Sequence, residues 1–429
     1  MTPSKTAGSR SMFHRFLVAG GLTNLGDGVA TLAWTWLATH LTRDPLLISL
    51  MPIALRLPWF LFAMPAGIVT DRASRKQLLL TMDIARGLAF GLAAAAIWQA
   101  LPVSEPPEHG TAEPGLFALL AGCAALIGVA EVFRDTAAQT VVPSLVPDDQ
   151  LEKANAQFWT VELVGNMLLG PAVGAFLIAA YLPLPFLLNA VAYLLAALLL
   201  LGLDLRRRSA PPPRRHWRSE LAEGAGFLVT HPMLRLLAIF TGVFNGMHQM
   251  VVVALVLFAQ ERLGLAAGSF GLVLSAGACG GILAGLVAAP LIRRLGGAVV
   301  AQYASLCCAL AFLLVPFAGG AVGLAAALML FSFFGLLWDT VSVSFRQRAV
   351  PDEMRGRVNS LYRMASWGMM PVGLALSGLV VELGEAVMPR ALALTLPFYV
   401  AGAGVLVLTL WAWRAIGTGF RPGGQVCRA

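Results

Sequence analysis

Long apolar runs separated by short polar segments organise the chain. A bilayer core of about 30 Å needs about 20 helical residues, and the pattern lays down roughly twelve such spans. They cover 15–41, 46–70, 77–100, 115–142, 151–180, 184–203, 233–260, 266–292, 297–317, 320–346, 356–383 and 388–414. The expected fold is all-α and integral to a membrane.

A second pattern lies over the first. Asp135-Thr136, Val146-Pro147-Asp148 and Asn155 recur as Asp339-Thr340, Val350-Pro351-Asp352 and Asn359, each displaced by 204 residues. The chain therefore reads as two copies of one six-span unit. A duplicated bundle of membrane helices is the architecture of a secondary transporter. The expected domains are an N-terminal bundle at 1–203, a linker at 204–232 and a C-terminal bundle with a short tail at 233–429.

Composition agrees with a lipid solvent. Of 429 residues, 58% are hydrophobic and 12% charged, and mean hydropathy is +0.77. No soluble core of this length buries that much apolar surface. The first span is too long for a signal-peptide apolar region and lacks a cleavage site, so it reads as a retained helix. If the N-terminus is cytoplasmic, the inner segments collect Lys5, Arg10, Arg15, Arg72, Arg75, Lys76, Arg206 to Arg208, Arg293, Arg294, Arg346, Arg348, Arg355, Arg357 and Arg414. The outer loops keep Arg43, Arg262 and Arg390. That asymmetry places both termini inside, in the cytoplasmic membrane, and accounts for the net charge of +8 without nucleic acid. Within the linker, Trp217, Leu221, Phe227 and Leu228 can share a helical face opposite Glu220 and Glu223. That stretch is either an amphipathic surface helix or an irregular solvated linker. The five cysteines and six histidines show no ligand spacing, so neither metal nor any other cofactor is expected.

Gly67-Ile68-Val69-Thr70-Asp71-Arg72-Ala73-Ser74-Arg75-Lys76, between the second and third spans, resembles the signature loop of the major facilitator superfamily. Gly67 is expected to let two helices approach closely, and Asp71 to favour the positive dipole end of the third helix. Ser74 stands where the family usually has a second glycine. Gly170-Pro171-Ala172-Val173-Gly174 in the fifth span is similar to the antiporter motif of exporters in that superfamily, with Asn166 and Ala175 replacing glycines of the fuller pattern. Its small residues permit close packing and its proline permits a bend, so its role is either packing or coupling. The resemblance covers essentially the whole chain and is strongest to twelve-helix drug:proton antiporters, which include macrolide efflux pumps and an enterobactin exporter. It implies two pseudo-symmetric six-helix bundles and export of a small molecule at the expense of a proton gradient.

Six acids, Asp27, Asp83, Glu131, Asp135, Glu162 and Asp339, fall inside the spans against four arginines, Arg56, Arg86, Arg134 and Arg363. Each intramembrane charge costs about 2.5–3.5 kcal/mol on insertion scales, so these groups must pair, face water or lose their charge. Asp27 and Arg56 fall near the midplane, where they either pair with each other or contact substrate. Asp83 and Arg86, three apart on one helix, can satisfy one another. Glu131 and Asp135, four apart, repel when both are ionised unless Arg134 reaches both. Glu131, Asp135 and Glu162 with Arg134 are the expected proton-coupling network, the alternative being an inner gate. Asp339 with Arg363 is an expected inner gate, and Asp71 facing Arg355 to Arg357 an expected latch.

Among aromatic residues, Trp34, Trp159 and Trp338 are candidates for the surface of a central cavity, since aromatic rings bury large area without fixed hydrogen-bond geometry. Packing is the alternative for each. No phosphate-cradling glycine loop with lysine, metal cluster or nucleophile constellation is found, so an enzyme or an ATP-driven pump is not expected. A lipid flippase or uncoupled facilitator remains open, because fold does not determine substrate or coupling. The expected partners are a small-molecule substrate, protons and the bilayer, and a monomer suffices for two halves rocking about a midplane site.

Overall fold

A computed structural model of the protein describes residues 3–147, 150–203, 217–351 and 354–420. Asp148, Asp352 and the linker segment 204–216 lie outside the described residues, as do the side chains of Asp71, Arg72, Trp217, Glu220, Leu221 and Arg355. The described residues contain α-helices and no strand.

In chain order the helices are α1 (Pro3–Leu41), α2 (Pro45–Arg72), α3 (Arg75–Gln99), α4 (Pro114–Leu145), α5 (Leu151–Glu162), α6 (Gly170–Ala180), α7 (Leu184–Leu201) and α8 (Trp217–Thr230). They continue as α9 (Pro232–Leu257), α10 (Ala267–Leu295), α11 (Gly297–Leu314), α12 (Ala321–Ala349), α13 (Arg355–Trp367), α14 (Met369–Glu385), α15 (Arg390–Ala393) and α16 (Leu396–Gly419). Among the described residues twelve membrane-length segments emerge, from Ser11–Leu41 to Arg390–Gly419. Several of them are not the straight helices the apolar pattern implies, two of them interrupted well inside the span. The fifth passes from α5 through a π-helical stretch, Leu163–Leu169, into α6. The eleventh breaks at Gly368, between α13 and α14.

Local chemistry sets the helix starts. Asp44 caps α2, its side chain accepting from the backbone N–H of Leu46 at 3.0 Å and of Leu47 at 3.3 Å, and Ser74 caps α3 through the Gln77 N–H. Each cap satisfies an amide that the helix cannot.

The chain divides into two compact units, Met1–Pro213 with Ala266–Leu272, and Arg214–Leu265 with Val273–Ala429. In the first, glycines let backbones meet: a Cβ on Gly170 would overlap Gly28, and one on Gly174 would lie 2.8 Å from the Val29 carbonyl oxygen. The second repeats the device between α9 and α14, where a Cβ on Gly373 would overlap the backbone of Gly246. Without a hydrophobic effect to join helices in lipid, such close approach is what dispersion and small residues provide. Gly67 departs from expectation, since a Cβ there would meet nothing within 4 Å. At the end of the second unit containing Arg262 and Arg390, Arg390 pairs with Glu261 at 2.8 Å and Glu385 at 2.6 Å, tying the last turn before Leu263 to α14 and α15.

Candidate functional site

Seven charged side chains from four helices of the first unit form two neighbouring clusters of ion pairs. Arg86 on α3 is fully buried and donates through Nη2 to the Asp27 carboxylate on α1 and, at 2.6 Å, to the Tyr193 hydroxyl on α7. Tyr193 in turn donates to Asp27 at 2.6 Å. The guanidinium carbon of Arg86 also sits 4.1 Å from the centre of the Tyr193 ring, a favourable place for a desolvated cation. Glu131 on α4 lies 4.0 Å from the same Arg86 nitrogen and 3.6 Å from Arg56 on α2, and accepts the Trp59 indole N–H at 3.2 Å. One turn along α4, Arg134 pairs through Nε with Asp83 and through Nη1 with Asp135, both at 3.3 Å.

Burial grades these groups. Arg86 and Asp83 are 0% exposed and Arg134 2%, whereas Asp27 is 13%, Glu131 15% and Asp135 31% exposed. Arg86 and Arg134 are therefore sealed in the bundle, while Arg56, 39% exposed, and one side of each of three carboxylates reach its surface. Ionised throughout, the two clusters would hold four carboxylates against three guanidiniums, an excess of one negative charge. Such a group of acids can bind one proton or one cationic moiety without leaving a buried charge unmatched.

The pairings differ from those the spacing implies. Asp83 and Arg86 do not satisfy each other on one helix face; each takes a partner from another helix, Arg134 and Asp27 respectively. Arg56 pairs with Glu131 rather than with Asp27. Arg134 takes Asp135 but not Glu131, which is left to Arg86, Arg56 and Trp59. Arginine side chains are long enough to cross an interhelical gap, so neighbours on one helix need not be partners. Glu162 is half-buried at the end of α5, where the π-helical stretch begins, and the groups acting electrostatically on Glu131 are Asp27, Arg56, Arg86 and Asp135. Tyr193 was missed by the sequence reading, as was Asn189, which donates to the Gly26 carbonyl at 2.9 Å. Two polar side chains four apart in the otherwise apolar α7 were the available signal.

The tryptophans separate into two groups. Trp34 is fully buried against Phe90 and Phe186, and Trp338 is 1% exposed and stacked on Phe240 at 4.2 Å. Both are core residues rather than a surface for a ligand. Trp159 is 56% exposed on α5.

The basic residues of the α2–α3 loop act on helix ends in their own unit. Arg75 donates to the Thr140 carbonyl at 3.0 Å, and Lys76 to the Leu201 carbonyl at 2.7 Å. Leu201 is the last residue of α7, where a cation matches both the free carbonyl and the dipole. In the second unit, Asp339 is in electrostatic reach of Arg346, and the Arg363 guanidinium lies 5.0 Å from the centre of the Trp367 ring. Arg357 pairs with Glu223 of α8 at 2.7 Å. His231, just before α9, accepts the Leu234 N–H on Nδ1 at 3.3 Å, and partial burial holds its imidazole below the ordinary value.

Solved structures share this architecture. A bacterial homologue of the iron transporter ferroportin, in an inward-facing state, aligns at a TM-score of 0.73 and 17% identity, covering 97% of this chain and 100% of that one. A mutant of the nucleoside transporter NupG aligns at 0.75 and 14% identity, over 94% and 99%. Among sequence relatives, the multidrug efflux pump Tap of Mycolicibacterium fortuitum is 24% identical over 418 residues, 94% of this chain and 96% of the relative. The enterobactin exporter EntS of Escherichia coli O1:K1 / APEC is 26% identical over 353 residues, 81% and 79% respectively. Family and fold are those of membrane transporters, not enzymes. With residues 16–374 matching the family as a whole, the chain belongs to the Major Facilitator Superfamily.

Proposed function

We propose that the protein is a secondary active exporter. It moves a small amphipathic molecule, drug-like, secondary metabolite or siderophore, out across the cytoplasmic membrane in exchange for protons by alternating access. The observation that carries this reading is the two neighbouring clusters of ion pairs, Asp27 to Arg56 and Asp83 to Asp135, with one carboxylate in excess and Glu131 reaching the bundle surface. Kinship with Tap and EntS supports the direction of transport and the substrate classes. Glu131 and Asp135, with Arg134, are assigned to proton coupling, and Glu162 is retained as a further coupling acid on α5. Asp27, Arg56 and Trp159 are assigned to the substrate side. Both termini lie in the cytoplasm, and one copy suffices.

The test uses everted vesicles with an established proton gradient, a pH-sensitive dye and a panel of macrolides, tetracyclines, siderophores and lysophospholipids. Dye recovery on adding one compound, absent in Glu131→Gln, is the expected result. Labelled drug or lipid that equilibrates with no dye response and no need of the gradient would replace this reading with a facilitator or flippase.

A further inference from the structure

Three buried charged residues of the first unit carry polar atoms that the protein itself does not match. Arg86 uses Nη2 for Asp27 and Tyr193, while its Nε and Nη1 have no hydrogen-bond partner in the protein. Asp83 receives Arg134 on Oδ1 and leaves Oδ2 unmatched, and Arg134 leaves Nη2 unmatched. All three residues are 2% exposed or less. Buried polar groups in folded proteins are almost always bonded, to protein or to an ordered water.

These atoms belong to residues within one helical turn of one another on α3 and to Arg134 on α4. Asp83 and Arg86 are three residues apart on α3, about 4.5 Å along the axis, and Glu131 and Arg134 have the same spacing on α4. The ion pairs thus form two clusters one turn apart, Asp27, Arg86, Glu131 and Arg56 in one, Asp83, Arg134 and Asp135 in the other. The unmatched atoms belong to Arg86 of the first cluster and to Asp83 and Arg134 of the second, and Asp83 and Arg134 are both within electrostatic reach of Arg86.

The donor set selects the ligand. An anion would meet three guanidinium N–H groups but also the carboxylates of Asp83, Asp27 and Asp135. A metal cation would meet two guanidiniums. A water molecule both accepts and donates, and buried waters make about three hydrogen bonds to otherwise unmatched groups. We propose that bound water between α3 and α4, held by Arg86, Asp83 and Arg134, joins the two clusters into one hydrogen-bonded path from Glu131 to Asp135. Its role in coupling rests on the antiport reading above; its presence does not. Arginine does not release its proton, so the guanidiniums fix the waters while protons move between oxygens. A proton on Glu131 passes to a water, that water gives another of its protons to the unmatched Asp83 oxygen, and the next exchange delivers one to Asp135. At each exchange one O–H bond breaks as another forms, so the net change is one proton moved from Glu131 to Asp135, with water and Asp83 restored. The ionisable groups facing the path are Asp27 from α1, Arg56 from α2, Asp83 and Arg86 from α3, Glu131, Arg134 and Asp135 from α4, and Tyr193 from α7.

The test is radiolytic hydroxyl labelling of the full chain in lipid nanodiscs, pulsed at intervals after rapid mixing with ¹⁸O water. Tyr193, stacked under Arg86, and Phe90, stacked on Tyr193, are both 0% exposed. Resident water predicts that both rings are labelled and take up ¹⁸O at least about tenfold more slowly than His109 on the exposed outer loop. Absence of label on both rings, or exchange as fast as at His109, would overturn the proposal. The double variant Asp83→Leu with Arg134→Leu removes the water's partners and should lose the Tyr193 label; a label of wild-type strength in that folded variant would also overturn it. Should that variant not fold, the exchange measurement on the natural protein decides alone. Slow-exchanging label without any substrate-driven dye recovery would retain the water and overturn its place in a coupling path. Dye recovery without label would leave the antiport reading standing and remove the water.

Discussion

The same repeat carries opposite chemistry in the two units. Glu131, Arg134 and Asp135 on α4 correspond, 204 residues on, to Gly335, Trp338 and Asp339 on α12. Where Arg134 joins Asp83 to Asp135, Trp338 stacks on Phe240, and nearby Phe331 gathers Phe244 at 6.1 Å, His248 at 4.8 Å and Phe312 at 4.6 Å. The scaffolding is common to both, glycine on glycine at Gly28 with Gly170 and at Gly246 with Gly373. Helix crossings and the groups displayed on them are therefore separable, since dispersion at small residues sets the first and local burial and pairing set the second.

The contrast can be broken most severely at its charged end. Arg86→Leu removes the cation shared by Asp27, Glu131 and Tyr193 and leaves buried charge behind, so a stability loss of about 3–5 kcal/mol is expected. Trp338→Leu, in the aromatic unit, leaves a cavity without a stranded charge and should cost about 3 kcal/mol or less. Thermal unfolding of both variants in one detergent orders the two effects, and a milder loss for Arg86→Leu would show that the ion pairs do not bind the bundle as argued. The common scaffold predicts a smaller, symmetric effect. Gly28→Ala and Gly373→Ala should each destabilise by about 1–3 kcal/mol through overpacking. Gly67→Ala should be neutral or stabilising by up to about 1 kcal/mol from helix propensity, and unequal melting shifts for Gly28→Ala and Gly373→Ala would break the symmetry.

The smallest effect concerns His231. Its imidazole accepts a hydrogen bond at the start of α9, and burial lowers its folded pKa below the ordinary 6.5. The unfolded chain then binds the proton more readily, so the cap is fully present above about pH 6.5 and is lost as pH falls from there through the folded pKa. Against His231→Asn, whose amide caps at any pH, the natural protein should lose up to about 1 kcal/mol below pH 6.5. Parallel melts at pH 8 and pH 5.5 measure that difference, and a constant gap between the two proteins would refute the cap.

The spans were legible because hydropathy summed over some twenty residues leaves little choice in lipid. The 204-residue repeat was legible because Asp-Thr and Val-Pro-Asp survive in both copies. Pair identities were not, since spacing on one helix says nothing of the neighbour that Arg86 or Arg134 reaches across to. Trp34 and Trp338 could not be told from Trp159 because a span that is apolar all round has no face marked as inward. The π-helical stretch before Gly170 was hidden for a related reason: the only local signal was Gly170-Pro171, which fits a simple bend as well.

Burying Asp83 and Arg86 on α3, and their partner Arg134 on α4, also constrains how the protein is made. Entering lipid alone, α3 would carry two centrally placed charges, about 5–7 kcal/mol on insertion scales, with the nearest relief for Asp83 on a helix not yet synthesised. Once Arg134 follows, Asp83 is matched at 3.3 Å, and the loop joining α3 to α4 places the two helices as neighbours. The third and fourth helices thus favour leaving the insertion machinery as a paired hairpin. Biogenesis of the ionic half is in this sense a two-helix event.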